Sequence, residues 1–141
     1  MTRLTILRVF AKWMLPFVLL FALYVQAHGD LGPGGGFQAG VIFAAGIILY
    51  SLVFGLDAGR RFFPPRVAEA LAALGILVYA GTGWAGLLVG GSYLDFPALS
   101  PHHPAHGQHW GVFSVELGVG LTVASVMTSI FFAFAARKAP R

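Results

Sequence analysis

The sequence predicts an all-α, polytopic membrane protein with four transmembrane helices and both termini on the cytoplasmic side. Three observations predict it. Of 141 residues, 57% are hydrophobic and only 10% charged, against about 25% charged in an average soluble domain. Four apolar stretches are long enough to cross a bilayer, which takes roughly 20 residues each. Finally, all nine Lys and Arg residues fall in three clusters. Arg3, Arg8 and Lys12 open the first stretch, Arg60, Arg61 and Arg66 separate the second from the third, and Arg137, Lys138 and Arg141 follow the fourth. The alternate connections, 28–35 and 92–109, carry no basic residue, so the positive-inside rule puts the three clusters on one side.

The spans are expected near 6–27, 36–56, 67–91 and 110–136, as one membrane domain covering 1–141. In the first, Arg8 and Lys12 are one turn apart and can snorkel to the same interface, while Pro16 can kink the helix or loosen its start. Its basic start, apolar middle and Val25-Gln26-Ala27 also fit a cleaved signal peptide. Cleavage would leave three spans beginning at His28, and the reading as a span is preferred. In the second, Gly36, Gly40, Ala44, Ser51 and Gly55 share one side. Gly86 and Gly90 make a GxxxG at the outer end of the third. In the fourth, Gly111, Ser114, Gly118, Thr122, Ser125 and Ser129 form a stripe of small residues. Such stripes let helices approach closely in a lipid environment. Tyr24, Tyr93 and Trp110 fall at the outer interface and Trp13 and Tyr50 at the inner one, as an aromatic belt requires.

Composition also excludes function classes. The chain has no cysteine, which removes disulfides, thiolate metal sites and cysteine nucleophiles. There is no zinc-protease HExxH, Walker loop, dinucleotide fingerprint or nucleophile elbow. The net charge of +4 is explained by topology and does not point to nucleic acid. No internal repeat of the kind that builds many self-sufficient transporters is evident. Four spans without a repeat favour one component of a larger assembly over a stand-alone carrier.

Glu116 is the main candidate for chemistry, because ionisable residues inside a span rarely face lipid and often serve ion pathways. It lies two residues before Gly118, about 200° around the helix, and so faces away from the small stripe. Burying both faces of a terminal helix then calls for a neighbouring subunit. The alternative is a partly wet structural acid about 6 residues inside the helix. Glu69 is read as a capping acid or a partner of Arg66, and Asp57 as a solvated charge ending the second helix. Residues 102–109, HHPAHGQH, hold His102, His103, His106 and His109. They invite a metal or pH-sensing reading, with Asp95 able to approach, but Pro104 and Gly107 argue against helical ligand spacing. No metal site is assigned to them. His28 and Asp30 join this outer face as further pH or metal candidates.

The remaining feature is GDLGPGGGFQAG, residues 29–40. Gly29 is suited to the left-handed position after the first helix. The following glycines permit a tight reversal, and the N–H groups at the start of the second helix can receive a carboxylate or a water chain. The longer stretch AHGDLGPGGGFQAGVIFAAGIILY resembles the signature of the MnhB-type subunit of the Mrp/Mnh (Sha) multisubunit Na+/H+ antiporters. The motif is Pro33, Gly34, Gly35, Gly36, Phe37 and Gly40. LVFGLDAGRRFFPP, LAALGILVYAGTG and HWGVFSVELGVGLTVASVMTSIFFAF are similar to that family's middle and last helix, in order, over nearly the whole chain. Glu116 stands where other members often have aspartate. The resemblance implies an accessory subunit, not an enzyme, in the bacterial inner membrane. It implies no cofactor, with Na+ and H+ as the ions moved by the complex, and complex I-like large subunits as partners. Two alternatives are a membrane subunit of a related hydrogenase or redox complex, and a metal-responsive membrane protein that uses the histidine loop.

Overall fold

The computed structural model of the chain describes residues 2–29, 33–100 and 102–137, with backbone alone for 2–4. Asp30, Lys138 and Arg141 lie outside the described residues. The helices are α1 (Thr2–Ala27), α2 (Gly36–Phe54), α3 (Leu56–Phe62), α4 (Pro65–Leu88) and α5 (Pro104–Arg137), with a 3₁₀ turn at Pro97–Leu99. All of them except the seven-residue α3 are long and apolar enough to cross a membrane. The protein is therefore an all-helical membrane protein with four candidate spans.

Glycine and proline set the element boundaries. α1 runs through Pro16 as one helix. α2 starts from Gly35, whose φ of 110° and ψ of −179° suit only glycine. Gly55, with φ 102°, both ends α2 and opens α3. Asp57 therefore belongs to the first turn of α3, not to the end of the second helix. Pro65 begins α4, where its missing N–H costs no helical bond. The first turn of α4 holds no acid, so Glu69, exposed and one turn further in, does not cap it.

The expected GxxxG at the end of α4 is resolved differently. Gly86 is buried within the helix. Gly90 lies beyond it with φ 91°, and its N–H donates to Leu87 O at 3.1 Å while Gly91 N–H donates to Gly86 O at 3.0 Å. This is the double-bonded cap that satisfies the last carbonyls of a helix. Gly90 thus ends α4 instead of packing it.

α5 is the centre of the molecule. It packs on α4 along one face and on α2 along another, while α1 packs mainly on α2 and touches α5 more lightly. Against α4, an ideal Cβ built on Gly75 would lie 2.5 Å from Gly118 O, and one on Gly118 would lie 2.7 Å from Gly75 O. Thr122 Oγ1 donates to Gly118 O at 2.9 Å and reaches Ala72 O on α4 at 3.4 Å. Against α2, a Cβ on Gly40 would lie 2.7 Å from Gly120 O. The last helix therefore carries two small-residue faces, the second formed by Gly120, Ala124 and Thr128, all buried. The expectation that its second face requires a neighbouring subunit is overturned, because α2 of the same chain already covers it.

The α4–α5 connection folds onto the start of α5. A Cβ on Gly107 would lie 2.5 Å from Phe96 O, and one on Gly111 would lie 2.7 Å from Phe96 Cβ. Gly107 is thus a packing position inside the helix, and Pro104 is its first residue. Neither breaks the helix, which begins six residues before the expected 110.

Candidate functional site

Glu116 stands 12 residues after Pro104 on α5, about 18 Å along the axis at 1.5 Å per residue. It is half-buried and faces the junction of α1 and α2. The chain after α1 folds back over the last turn of that helix: His28 N–H donates to Tyr24 O at 3.0 Å, and Gly35 N–H donates to Val25 O at 3.3 Å. Both sides of this reversal meet Glu116.

The glycines make the fit. A Cβ built on Gly29 would lie 2.6 Å from Glu116 Cδ, and one on Gly35 would lie 2.9 Å from Oε1. A Cβ on Gly36 would meet the Glu116 backbone, 2.6 Å from its carbonyl carbon and 2.9 Å from Cα. Three glycines of the stretch singled out in the sequence thus close around one residue of the last helix. The carboxylate rests beside Gly35, the N-cap of α2, where the dipole of a helix start favours an anion. The carboxylate that lies near this helix start is that of Glu116. Gly29 is not left-handed; among the described glycines that conformation belongs to Gly35, Gly55 and Gly90.

The other motif residues have different surroundings. Pro33 and Phe37 are exposed, Gly34 is half-buried, and Gly40 is buried against α5. His102, His103, His106 and His109 are exposed. The His103 and His106 rings lie 5.7 Å apart, and His109 meets Trp110 edge-on at 5.6 Å. His28 instead stacks on Tyr24 at 5.4 Å. Asp95 turns back on its own loop, accepting from Ser92 N–H at 3.4 Å. Among the described residues, no three His, Cys, Asp or Glu side chains come together as a metal site.

Sequence reasoning passed over Gln26. It is only 9% exposed, and its Nε2 has no hydrogen-bond partner. A Cβ on Gly120 would lie 2.6 Å from Gln26 Oε1 and 3.2 Å from Gly36 O, which puts Gln26 one α5 turn from Glu116. The available signal was an amide within an apolar span, and a signal-peptide reading absorbs it as part of Val25-Gln26-Ala27.

Residues 6–129 match the family described as "Domain related to MnhB subunit of Na+/H+ antiporter". The chain is 31% identical over 135 residues to the putative antiporter subunit mnhB2 of Staphylococcus haemolyticus, covering 94% of this chain and 95% of that one. It is 42% identical over 79 residues to an uncharacterized protein of Methanocaldococcus jannaschii, covering 55% of this chain and 30% of that one. It is 30% identical over 150 residues to the A/B subunit of a probable K(+)/H(+) antiporter of Rhizobium meliloti, covering 94% of this chain and 14% of that protein. The chain thus spans less than a third of two of these relatives and nearly all of the other. With the matched region taking in both the glycine-rich reversal and Glu116, the chain belongs to the family of domains related to the MnhB subunit of Na+/H+ antiporters.

Proposed function

We propose that this chain is the MnhB-type membrane subunit of a multisubunit cation/proton antiporter, that it assembles with other membrane subunits, and that Glu116 belongs to the ion path of the complex. The observation that carries the reading is the placement of the one acid deep in α5 inside the reversal between α1 and α2. Three glycines give up side chains there to admit it. A carboxylate needed only to be wet would not require backbone on two sides.

Family membership supports the antiport reading. Na+ export in exchange for H+ is the favoured cycle on the family's description, while one relative is named for K+. The A/B designation of that relative also supports partnership with a large subunit. The charge clusters support cytoplasmic termini and a place in the bacterial inner membrane. Among the described residues, no cluster favours the histidine-loop metal reading.

The test is antiport by everted vesicles from antiporter-deficient cells that express the whole complex with or without this chain. Na+ and K+ are added in turn and proton movement is followed. Cation-driven proton movement that needs this chain supports the reading. Equal activity without it overturns the reading.

A further inference from the structure

The helices leave an apolar opening apart from the glycine cradle. A half-open cleft of about 350 Å³ lies between α1, α2, α4 and α5. Leu23, Phe43, Phe62, Phe63, Leu71 and Leu121 form most of its wall. Leu23 and Phe62 are exposed as well, so the cleft reaches the surface of the bundle. Gln26 and Ser125 also border it, but Gln26 Nε2 and Ser125 Oγ are closed off. An occupant therefore meets hydrocarbon on nearly every side, and water or an ion finds no polar partners there.

Shape and charge narrow the choice of occupant. On α5 the lining runs from Leu117 to Ser125, eight residues further on, or about 12 Å at 1.5 Å per residue. The cleft is thus elongated along the helix, the direction in which acyl chains lie. Phe62 and Phe63 border it from the junction of α3 and α4. That junction is basic: Arg60 and Arg61 fill the last turn of α3, and Arg66 follows Pro65 at the start of α4. Arg61 and Arg66 are exposed, while the Arg60 guanidinium is turned onto α5, 5.9 Å from the Phe132 ring centre. The same end of the bundle carries Arg8, Lys12 and Arg137, against the acids Asp57 and Glu69. A hydrocarbon wall beside a cationic rim matches an amphiphile with an acyl chain and an anionic head. An apolar side chain from a neighbouring helix would match the wall but leave the exposed arginines unanswered.

We propose that this cleft holds one acyl chain of an anionic phospholipid, from the leaflet on the basic side, with its phosphate against Arg61 and Arg66. The chain fills the gap over α5 that α1 and α4 flank, and gives α1, which touches α5 only lightly, a further surface to pack on. The site does not depend on any role of Glu116 in transport.

Photo-crosslinking tests it in the whole complex, reconstituted into vesicles. Phosphatidylglycerol and phosphatidylcholine with identical acyl chains are compared, each with a diazirine near mid-chain. Labelled residues are read by tandem mass spectrometry. Phosphatidylglycerol is expected to label Phe43 and Leu121 about tenfold more than phosphatidylcholine does, given two arginines at the head group. Leu77, an exposed apolar residue of α4, is the bulk-lipid control and should take both lipids equally. Leu71→Trp narrows the cleft and should cut labelling of Leu121 severalfold, leaving Leu77 unchanged. Should L71W fail to assemble, Leu23→Trp repeats the test from α1. Arg61→Gln with Arg66→Gln should leave labelling in place but bring the two lipids close to parity. Equal labelling by both lipids in the unaltered chain would overturn the proposal, since the cleft would then hold only bulk lipid. No labelling of Phe43 or Leu121 would also overturn it and point to a neighbouring subunit as the occupant. A tenfold preference that survives R61Q/R66Q would overturn the part given to these arginines.

Discussion

Replacing Gly36 with alanine tests the close approach that builds the site. The new Cβ would lie 2.6 Å from the Glu116 carbonyl carbon and 2.9 Å from its Cα, and closer still to the carbonyl oxygen. Ordinary contact begins near 3.4 Å, so the carbon alone demands a shift of 3.4 − 2.6 = 0.8 Å. The obstacle is backbone, which cannot rotate away, so α2 and α5 must separate. Overpacking of this kind costs about 1–3 kcal/mol, and a rigid backbone neighbour places Gly36→Ala toward the upper end of that range. The melting temperature should fall by about 7–10 °C, measured by tryptophan fluorescence of the purified chain in a mild detergent. Gly81→Ala is the matched control. Gly81 lies within α4 with nothing within 4 Å of its would-be Cβ, and alanine there should gain about 0.5–1 kcal/mol from helix propensity. If G36A melts with the wild type while G81A behaves as expected, the α2–α5 contact at Glu116 is not as close as described, and the glycine cradle does not exist.

Other substitutions probe separate links. Gly35→Ala forces a side chain into φ 110° as well as toward the Glu116 carboxylate. A loss of about 2 kcal/mol or more is expected in the same melting assay, from backbone strain of about 1–2 kcal/mol plus the contact. Gly75→Ala and Gly118→Ala disrupt one shared α4–α5 contact. A double-mutant cycle should therefore show the pair costing less than the sum of the singles, and strict additivity would contradict the shared contact. Thr122→Val keeps the shape but removes the hydroxyl that bonds Gly118 O and reaches Ala72 O. A loss of about 0.5–1.5 kcal/mol is expected, and no change would show that the link is energetically idle.

Much of the fold was legible because hydrophobic length and charge clustering are local properties. The start of α2 at Gly36 and the end of α1 at Ala27 coincide with the glycine-rich punctuation. What was not legible depended on tertiary contact. Pro104 and Gly107 look like breakers in isolation, yet proline is at home as a first helical residue and Gly107 is small because Phe96 passes over it. Gly90 fits a packing motif by spacing, but its left-handed conformation makes it a cap. Angular arithmetic correctly separated Glu116 from Gly118, since they meet different helices. It could not say that α2 of the same chain fills the second face, because the order of helices in space is not written in any one of them. Gln26 and Gly120 went unmarked for the same reason, each being informative only beside the other.

The measurement that bears most directly on the central claim is cation-driven proton movement in everted vesicles carrying the whole complex with Glu116→Gln. Assembly is checked by native gel in the same membranes. Gln keeps the shape of the side chain within the glycine cradle and removes its charge. Normal assembly with antiport lost is the expected result. Normal assembly with wild-type antiport would contradict a place for Glu116 in the ion path, and would leave it as an acid that only fits the α1–α2 reversal.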